Sequence, residues 1–308
     1  MSHNYLITII GPTAIGKTAL SIKLAQHFGC DIISCDSRQF FKEMTIGTAV
    51  PNQEELAAAR HHFIQNKSIF QNYSVGDFEV EALAHLDALF QKNPIQIMVG
   101  GSGLYVDAVL KGFDDFPEIA NSVRDEINKK YDELGIEFLQ KKLKELDPIY
   151  YSKIEAENPQ TLVNPQRMKR FVEVCLGSEK PYSSFLGKRK NERNFTPIII
   201  GLEADRELMY ERINKRVDIM IAEGLVKEAQ ILYPNKELNA LQTVGYRELF
   251  DYLSGVTSLE FAIEQIKMNT RRFAKRQMTW FKRTENTNWF NHLTDSNKII
   301  TLINSKFI

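Results

Sequence analysis

An α/β fold, a parallel sheet flanked by helices and interrupted by an all-helical insertion, is what this 308-residue sequence predicts. Three observations lead there. Short, nearly uninterrupted apolar runs recur at 5–10, 31–35, 95–99 and 197–202, as expected of strands buried on both faces. Between the first three runs, apolar residues follow helical spacing, and strand–helix alternation implies a parallel core. From about 121 to 190 the strand-like runs stop, and charged and apolar residues alternate at helical period, as in NKKYDELGIEFLQKKLKELDP.

The elements follow in order. The run YLITII at 5–10 ends in Gly-Pro. A helix from 17 to 28 places Leu20, Leu24 and Phe28 on one face and stops at Gly29. A strand at 31–35 delivers Asp36 to its carboxyl end. Residues 77–91 read as a helix, Pro94 breaks it, and the strand 95–99 runs into Gly100-Gly101. The expected organisation is a core of 1–115 and 195–308 with a helical insertion at 116–194. From 205 the chain reads as mostly helical, with one long helix at 258–283.

Hydrophobic residues make up 43% and charged residues 25%, the balance of an ordinary globular chain. Lys plus Arg, 39, equals Asp plus Glu, 39, so no global field attracts nucleic acid and such a partner has to be read from local clusters. No apolar run reaches membrane-span length, and 5–10 is too short for a signal peptide. Cys30, Cys35 and Cys175 show no metal-ligand spacing and read as reduced thiols, so the cytoplasm is the expected location.

Gly11-Pro-Thr-Ala-Ile-Gly16-Lys17-Thr18 fits G-x-x-x-x-G-K-[ST] between a strand and a helix, the context a P-loop requires. Glycines let backbone N–H groups turn toward phosphate oxygens at the positive end of a helix. Lys17 adds a mobile charge, and the Thr18 hydroxyl suits Mg²⁺ held on the same phosphates. The fold is therefore expected to be P-loop NTPase-like. The strand at 95–99 ends in Gly-Gly-Ser-Gly, without the acid such enzymes usually place there. A carboxylate instead follows the second strand, in Asp36-Ser37-Arg38-Gln39. There it could hold metal, bind a ribose, take a proton, or simply make an Asx turn.

Between Gln265 and Thr284 stand seven Lys or Arg and no acid. Arg272, Lys275, Arg276 and Arg283 share roughly one helical face, while Ile266, Phe273, Trp280 and Phe281 can pack or stack. Lys188-Arg189-Lys190 with Arg193 forms a second basic cluster. On a neutral protein this segregation suits either a solvated helix face or a phosphate-backbone footprint, with Arg272 and Arg276 as the expected contacts in the second case. His61-His62 lacks metal spacing. Arg212 and Arg216, four apart after Arg206, suit lid arginines as well as an ordinary surface. A P-loop kinase of a small metabolite shares these features but needs neither insertion nor basic helix. A nucleotide-switched RNA binder would need N-K-x-D, which is missing.

These residues, in order along nearly the whole chain, resemble the tRNA dimethylallyltransferase (isopentenyl-diphosphate:tRNA transferase) family of bacterial type. The likeness runs through GPTAIGKT at 11–18, DSRQFFKEMTIGTAVP at 36–51, His61-His62, VGGSGLY at 99–105 and NPQRMKR at 164–170. It continues with RELMYERINKRVDIMIAEGL at 206–225, TVGYRE at 243–248 and TRRFAKRQMTWFKR at 270–283. The resemblance implies transfer of a dimethylallyl group from dimethylallyl diphosphate to the N6 amine of the adenosine just 3′ of a tRNA anticodon. It makes Asp36 the base, with Lys17 and Ser102 beside it. The loop Gly11, Thr13, Ala14, Ile15, Gly16, Lys17 and Thr18 would hold the leaving diphosphate, with Mg²⁺ as cofactor. It also implies contacts with the anticodon stem-loop from Asp36, Ser37, Arg38, Gln39 and Ser102, from Gln166 and Arg167, from Gly245, Tyr246 and Arg247, and from Arg124. A monomer free of the membrane is expected. The sequence departs from the family at Ser102, usually Thr, at Val50, often Lys, and at Phe171-Val172, usually Ala-Leu. No zinc-finger tail of the kind some eukaryotic members carry is seen.

Overall fold

The computed structural model describes residues 3–187 and 192–307. One unit, formed by Met1–Lys111 and Arg193–Ile308, holds the whole described sheet, and a second, Gly112–Glu192, is helical.

The sheet contains β1 (Tyr5–Ile10), β2 (Ile32–Ser34), β3 (His61–His62), β4 (Ile95–Val99), β5 (Thr196–Glu203) and β6 (Thr287–Asn291), in the order β3-β2-β4-β1-β5-β6. Every pairing is parallel. β1 is central, with Ile7 opposite Ile97 of β4 and Ile198 of β5. Its alternation explains its composition. Tyr5, Ile7 and Ile9 enter one apolar layer with Leu24, Ile200 and Ile213, and Leu6 and Ile10 enter the opposite layer with Phe40, Phe78 and Met98. A strand covered on both faces has no polar side to show.

Helices α1 (Lys17–Phe28), α2 (Gln53–Ala58), α3 (Val75–Phe90) and α4 (Gly103–Lys111) precede the second unit. α1 stops where Gly29 adopts φ 61. α3 starts with a reciprocal cap between Ser74 and Asp77, and Asn52 and Glu55 do the same for α2. The second unit contains α5 (Asn121–Leu146), broken in direction at Gly135, then α6 (Pro148–Glu157) and α7 (Pro165–Ser178). Its own core gathers Ile127, Leu139, Leu143, Met168 and Val172. After β5 come α8 (Arg206–Ala222), α9 (Leu225–Leu232), α10 (Tyr246–Leu253), α11 (Leu259–Phe281) and α12 (Ser296–Asn304). A third apolar cluster, including Val217, Leu225, Tyr246, Leu249 and Ile266, ties α8 through α11 together.

The mostly helical reading from 205 onward omits β6, and the two-residue β3 is likewise new. β6 reads TNWFN, whose polar residues suit a partly exposed edge and hide it from any search for apolar runs. No helix among the described residues is long and apolar enough to cross a membrane.

Candidate functional site

Because all strands run parallel, β1, β2 and β4 open their carboxyl ends on one edge, where a doubly wound sheet places ligands. β1 leads into the phosphate loop. Gly11 has φ 146, and a Cβ there would stand 2.7 Å from the Leu202 carbonyl of β5, so the neighbouring strand excludes any side chain. Ala14 at φ 63 and Gly16 at φ 106 turn the loop, and Ile15 buries its side chain in the core. The Lys17 Nζ donates to the Pro12 carbonyl at 2.7 Å. Burial pushes the Lys17 ammonium down to about 8, with the Asp36 charge resisting and the Arg216 charge adding to the shift. The Thr18 hydroxyl has no hydrogen-bond partner among the described residues, although the Thr18 carbonyl accepts from Ser21.

β2 delivers Asp36. Its Oδ1 accepts the Arg38 N–H at 3.1 Å, so the Asx turn is real. No hydrogen bond occupies Oδ2 among the described residues, and the carboxylate lines a cavity of about 430 Å³. The turn therefore uses one carboxylate oxygen and leaves the other without a partner among the described residues. The Ser102 Oγ, after β4, accepts the Ser37 N–H at 3.0 Å and donates to the Ser37 hydroxyl at 3.1 Å. Arg38 donates to the carbonyls of Asn239 and Ala240 at 3.1 and 3.0 Å, and burial pushes its guanidinium below its ordinary value. Gln39 donates to the carbonyls of Thr48 and Ala49, while its Oε1 accepts from Ser34. Ser37, Arg38 and Ser102 reach the cavity wall; Gln39 braces it from behind.

That cavity has two characters. Thr13, Ala14, Asp36, Ser37 and Ser102 form a polar side, and Ile213, Val217, Met220, Phe273 and Trp280 an apolar one. Arg216 and Arg276 also line it. Burial lowers the Arg216 pKa, with Asp36 the strongest opposing charge. Arg212 donates from Nε to the Ala14 carbonyl at 2.8 Å, holding the loop from outside. Arg206 turns away to Tyr210. The three arginines, which suit a lid or an ordinary surface by sequence, thus differ in their surroundings.

The basic run on α11 divides by partner. Lys267 pairs with Asp218 and Glu264, Arg271 donates to Asn214, and Lys282 pairs with Glu203. Arg272, Lys275, Arg276 and Arg283 have no acidic partner among the described residues and share the exposed side. In the second basic cluster, Arg193 is a correction: its side chain is largely buried and donates to Glu79 at 2.9 Å and the Ala108 carbonyl at 2.7 Å, so its charge is turned inward rather than toward a phosphate. Lys188, Arg189 and Lys190 lie outside the described residues. Tyr246 is fully buried, its hydroxyl donating to Glu228 at 2.6 Å, so its side chain presents nothing to an RNA. Gly245 lines the cavity and Arg247 is exposed. In the helical unit, Gln166 and Arg167 sit in the first turn of α7, beside Lys153, Arg170 and Tyr182 around a hollow of about 590 Å³. Arg124 stands 3.9 Å from Glu173. His61 and His62 face apart, His61 to the Ala59 carbonyl and His62 to Asp31 and His85.

Two residues that brace the cavity's loops escaped the sequence. Gln277, buried on α11, accepts the Thr13 N–H at 2.9 Å and donates to the Gly101 carbonyl at 2.8 Å, joining the phosphate loop to the turn before Ser102. Its one sequence signal is an amide on the buried stripe that Ala274 and Phe281 mark at helical spacing. The other, Glu228, carried none.

The IPP transferase family model matches residues 39–284. The chain is 72% identical over 299 residues to a tRNA dimethylallyltransferase of Flavobacterium johnsoniae, covering 97% of each. Among solved structures, the full-length tRNA isopentenylpyrophosphate transferase of Bacillus halodurans matches with a TM-score of 0.70 and 35% identity, over 98% of this chain and 95% of that one. A eukaryotic dimethylallyltransferase acting on tRNA shares the fold, with a TM-score of 0.82 at 24% identity, over 98% of this chain and 79% of that one.

Proposed function

The chain belongs to the IPP transferase family, and from that premise we propose that it moves a dimethylallyl group from dimethylallyl diphosphate to the N6 amine of the adenosine just 3′ of a tRNA anticodon, releasing diphosphate. The observation that carries this reading is the single cavity in which a carboxylate, phosphate-loop residues and an apolar wall meet. A five-carbon tail suits Val217, Met220, Phe273 and Trp280. The diphosphate suits the amides and ammonium of the loop, with Arg216 nearby. Membership further supports an RNA-facing role for the α11 cations that lack an acidic partner among the described residues.

The chemistry follows from those positions. The adenine has to leave its stack to enter. Its exocyclic nitrogen attacks the allylic carbon, the C–O bond to diphosphate breaks, and the electron pair leaves on the diphosphate. The amine proton passes to Asp36, whose Oδ2 has no hydrogen-bond partner among the described residues while Oδ1 stays in its turn. Lys17, carrying its charge below about pH 8, stabilises the developing negative charge on the leaving group. Among the described residues no cluster of three or more His, Cys, Asp or Glu could hold a metal alone. The hard hydroxyl of Thr18 is free to share Mg²⁺ with the diphosphate oxygens, and a bound Mg²⁺ would neutralise leaving-group charge. Incubation with unmodified tRNA, Mg²⁺ and either dimethylallyl diphosphate or ATP tests the reading. A five-carbon mass gain on tRNA, only with the first donor, is expected. Phosphate transfer from ATP without that gain would replace the reading with a kinase.

A further inference from the structure

The carboxylate of Glu228, on α9, accepts four hydrogen bonds. Oε2 takes the N–H groups of Thr45 and Ile46 at 3.0 and 2.8 Å. Oε1 takes the Gly47 N–H at 2.9 Å and the Tyr246 hydroxyl at 2.6 Å. Three successive backbone amides converging on one anion fix that segment far more tightly than neutral bonds would. Tyr246 lies so close beneath that a Cβ on Gly47 would stand 2.6 Å from its ring.

The segment so held is part of the cavity wall, since Gly47, Thr48 and Ala49 line it. It is also tied to the base. The carbonyls of Thr48 and Ala49 accept from the Gln39 side chain at 3.2 and 2.9 Å, and the Gln39 N–H donates to the Asp36 carbonyl at 3.1 Å. Hydrogen bonds at both ends of the short 45–49 backbone therefore connect α9 to Asp36. Nothing in this connection involves the phosphate loop.

Resting on the proposed transfer to adenine, we infer that Glu228 is the positioning residue of the acceptor side, setting the 45–49 segment and through Gln39 the placement of Asp36. It touches no substrate. Glu228→Gln puts an NH₂ group where an oxygen accepted two donors, whichever way the amide turns. Tyr246→Phe removes one bond of the four and keeps the carboxylate.

The test measures kcat, KM for tRNA, inhibition by inorganic pyrophosphate, and amide hydrogen exchange in both variants. Glu228→Gln should lower kcat about 10²-fold, the scale of a misplaced reacting group. Tyr246→Phe should lower it about tenfold, as for one bond to a charged group. Pyrophosphate inhibition should stay at the parent value, and exchange should rise at Thr45–Gly47 but not at Gly11–Thr18. Adding Gln39→Leu to Glu228→Gln should cost little more, because both cut one path. Parent-like kcat in both variants, or a matching loss of pyrophosphate inhibition, overturns the inference. If Glu228→Gln fails to fold, Tyr246→Phe is judged by the same criteria. A parent protein that transfers no dimethylallyl group sinks the functional reading instead, and exchange at Thr45–Gly47 still decides whether Glu228 holds the segment.

Discussion

Lys17 shows how a desolvated cation burdens the fold. Its ordinary value is 10.5 and its folded value about 8, so between these the unfolded chain holds more protons. Stability therefore rises with pH across that window, and below it the full penalty of a buried cation remains. Lys17→Met should melt higher than the parent at pH 7, with the gap closing from pH 8 to 10.5 in paired thermal scans. A gap independent of pH would mean the ammonium is not desolvated. Asp36→Asn keeps an oxygen for the Arg38 N–H and so keeps the turn. Turnover should fall about 10²–10⁴-fold with both substrate affinities little changed. Recovery at high Mg²⁺ would reassign Asp36 to metal, and a parent-like single-turnover rate would remove its role as base. Lys17 and Asp36 were legible because their neighbours in sequence are their neighbours in space. Gln277 was not: its partner Thr13 is 264 residues away, and no local pattern encodes such a bond.

At the scale of elements, α11 puts three surfaces on one helix. Ala274 and Phe281 enter the core, Gln277 bridges two loops, and Arg272, Lys275 and Arg276, with Arg283 just past the helix end, lack acidic partners among the described residues. Arg272→Ala and Arg276→Ala should each reduce the salt slope of log K for tRNA by about one. Lys282→Ala, which removes the partner of Glu203, should leave the slope unchanged. Equal slopes in all three would mean a merely solvated face. Arg276 also lines the cavity, so its loss should lower kcat as well. Sequence signals worked well where glycine and proline punctuate the chain: α1 begins after Gly16 and ends at Gly29, and β4 follows Pro94. They failed at β3 and β6, whose pairing is imposed by neighbours rather than by their own apolar content.

For the whole molecule, the return of the chain into the sheet unit is fastened by Arg193, two residues before the buried Phe195. Its bonds to Glu79 of α3 and to the Ala108 carbonyl of α4 lie largely inside the protein, where breaking an ion pair is costly. Arg193→Leu should destabilise the protein by about 3–5 kcal/mol in urea titrations, while pyrophosphate inhibition at a permissive temperature is kept. A loss below the error of such titrations would mean that Glu79 finds compensation elsewhere. The parallel sheet itself was readable from four apolar runs, because a strand covered on both faces advertises itself. The basic residue at 193 was misread because charge alone does not distinguish a cation aimed at solvent from one aimed inward.

Pairing of β1 with β5 joins Tyr5 to Thr196, so the central strand waits on a partner made far later. At ribosomal speeds of about 5–20 residues per second, that wait lasts about 10–40 s. β4 can dock first, but one flank of β1 stays unsatisfied throughout, while the Gly112–Glu192 unit already has every residue of its own core. The order of emergence thus lets the later-encoded helical unit mature before the earlier-encoded sheet. A nascent chain halted short of β5 should yield a protease-resistant fragment from the helical unit and none from the amino-terminal third.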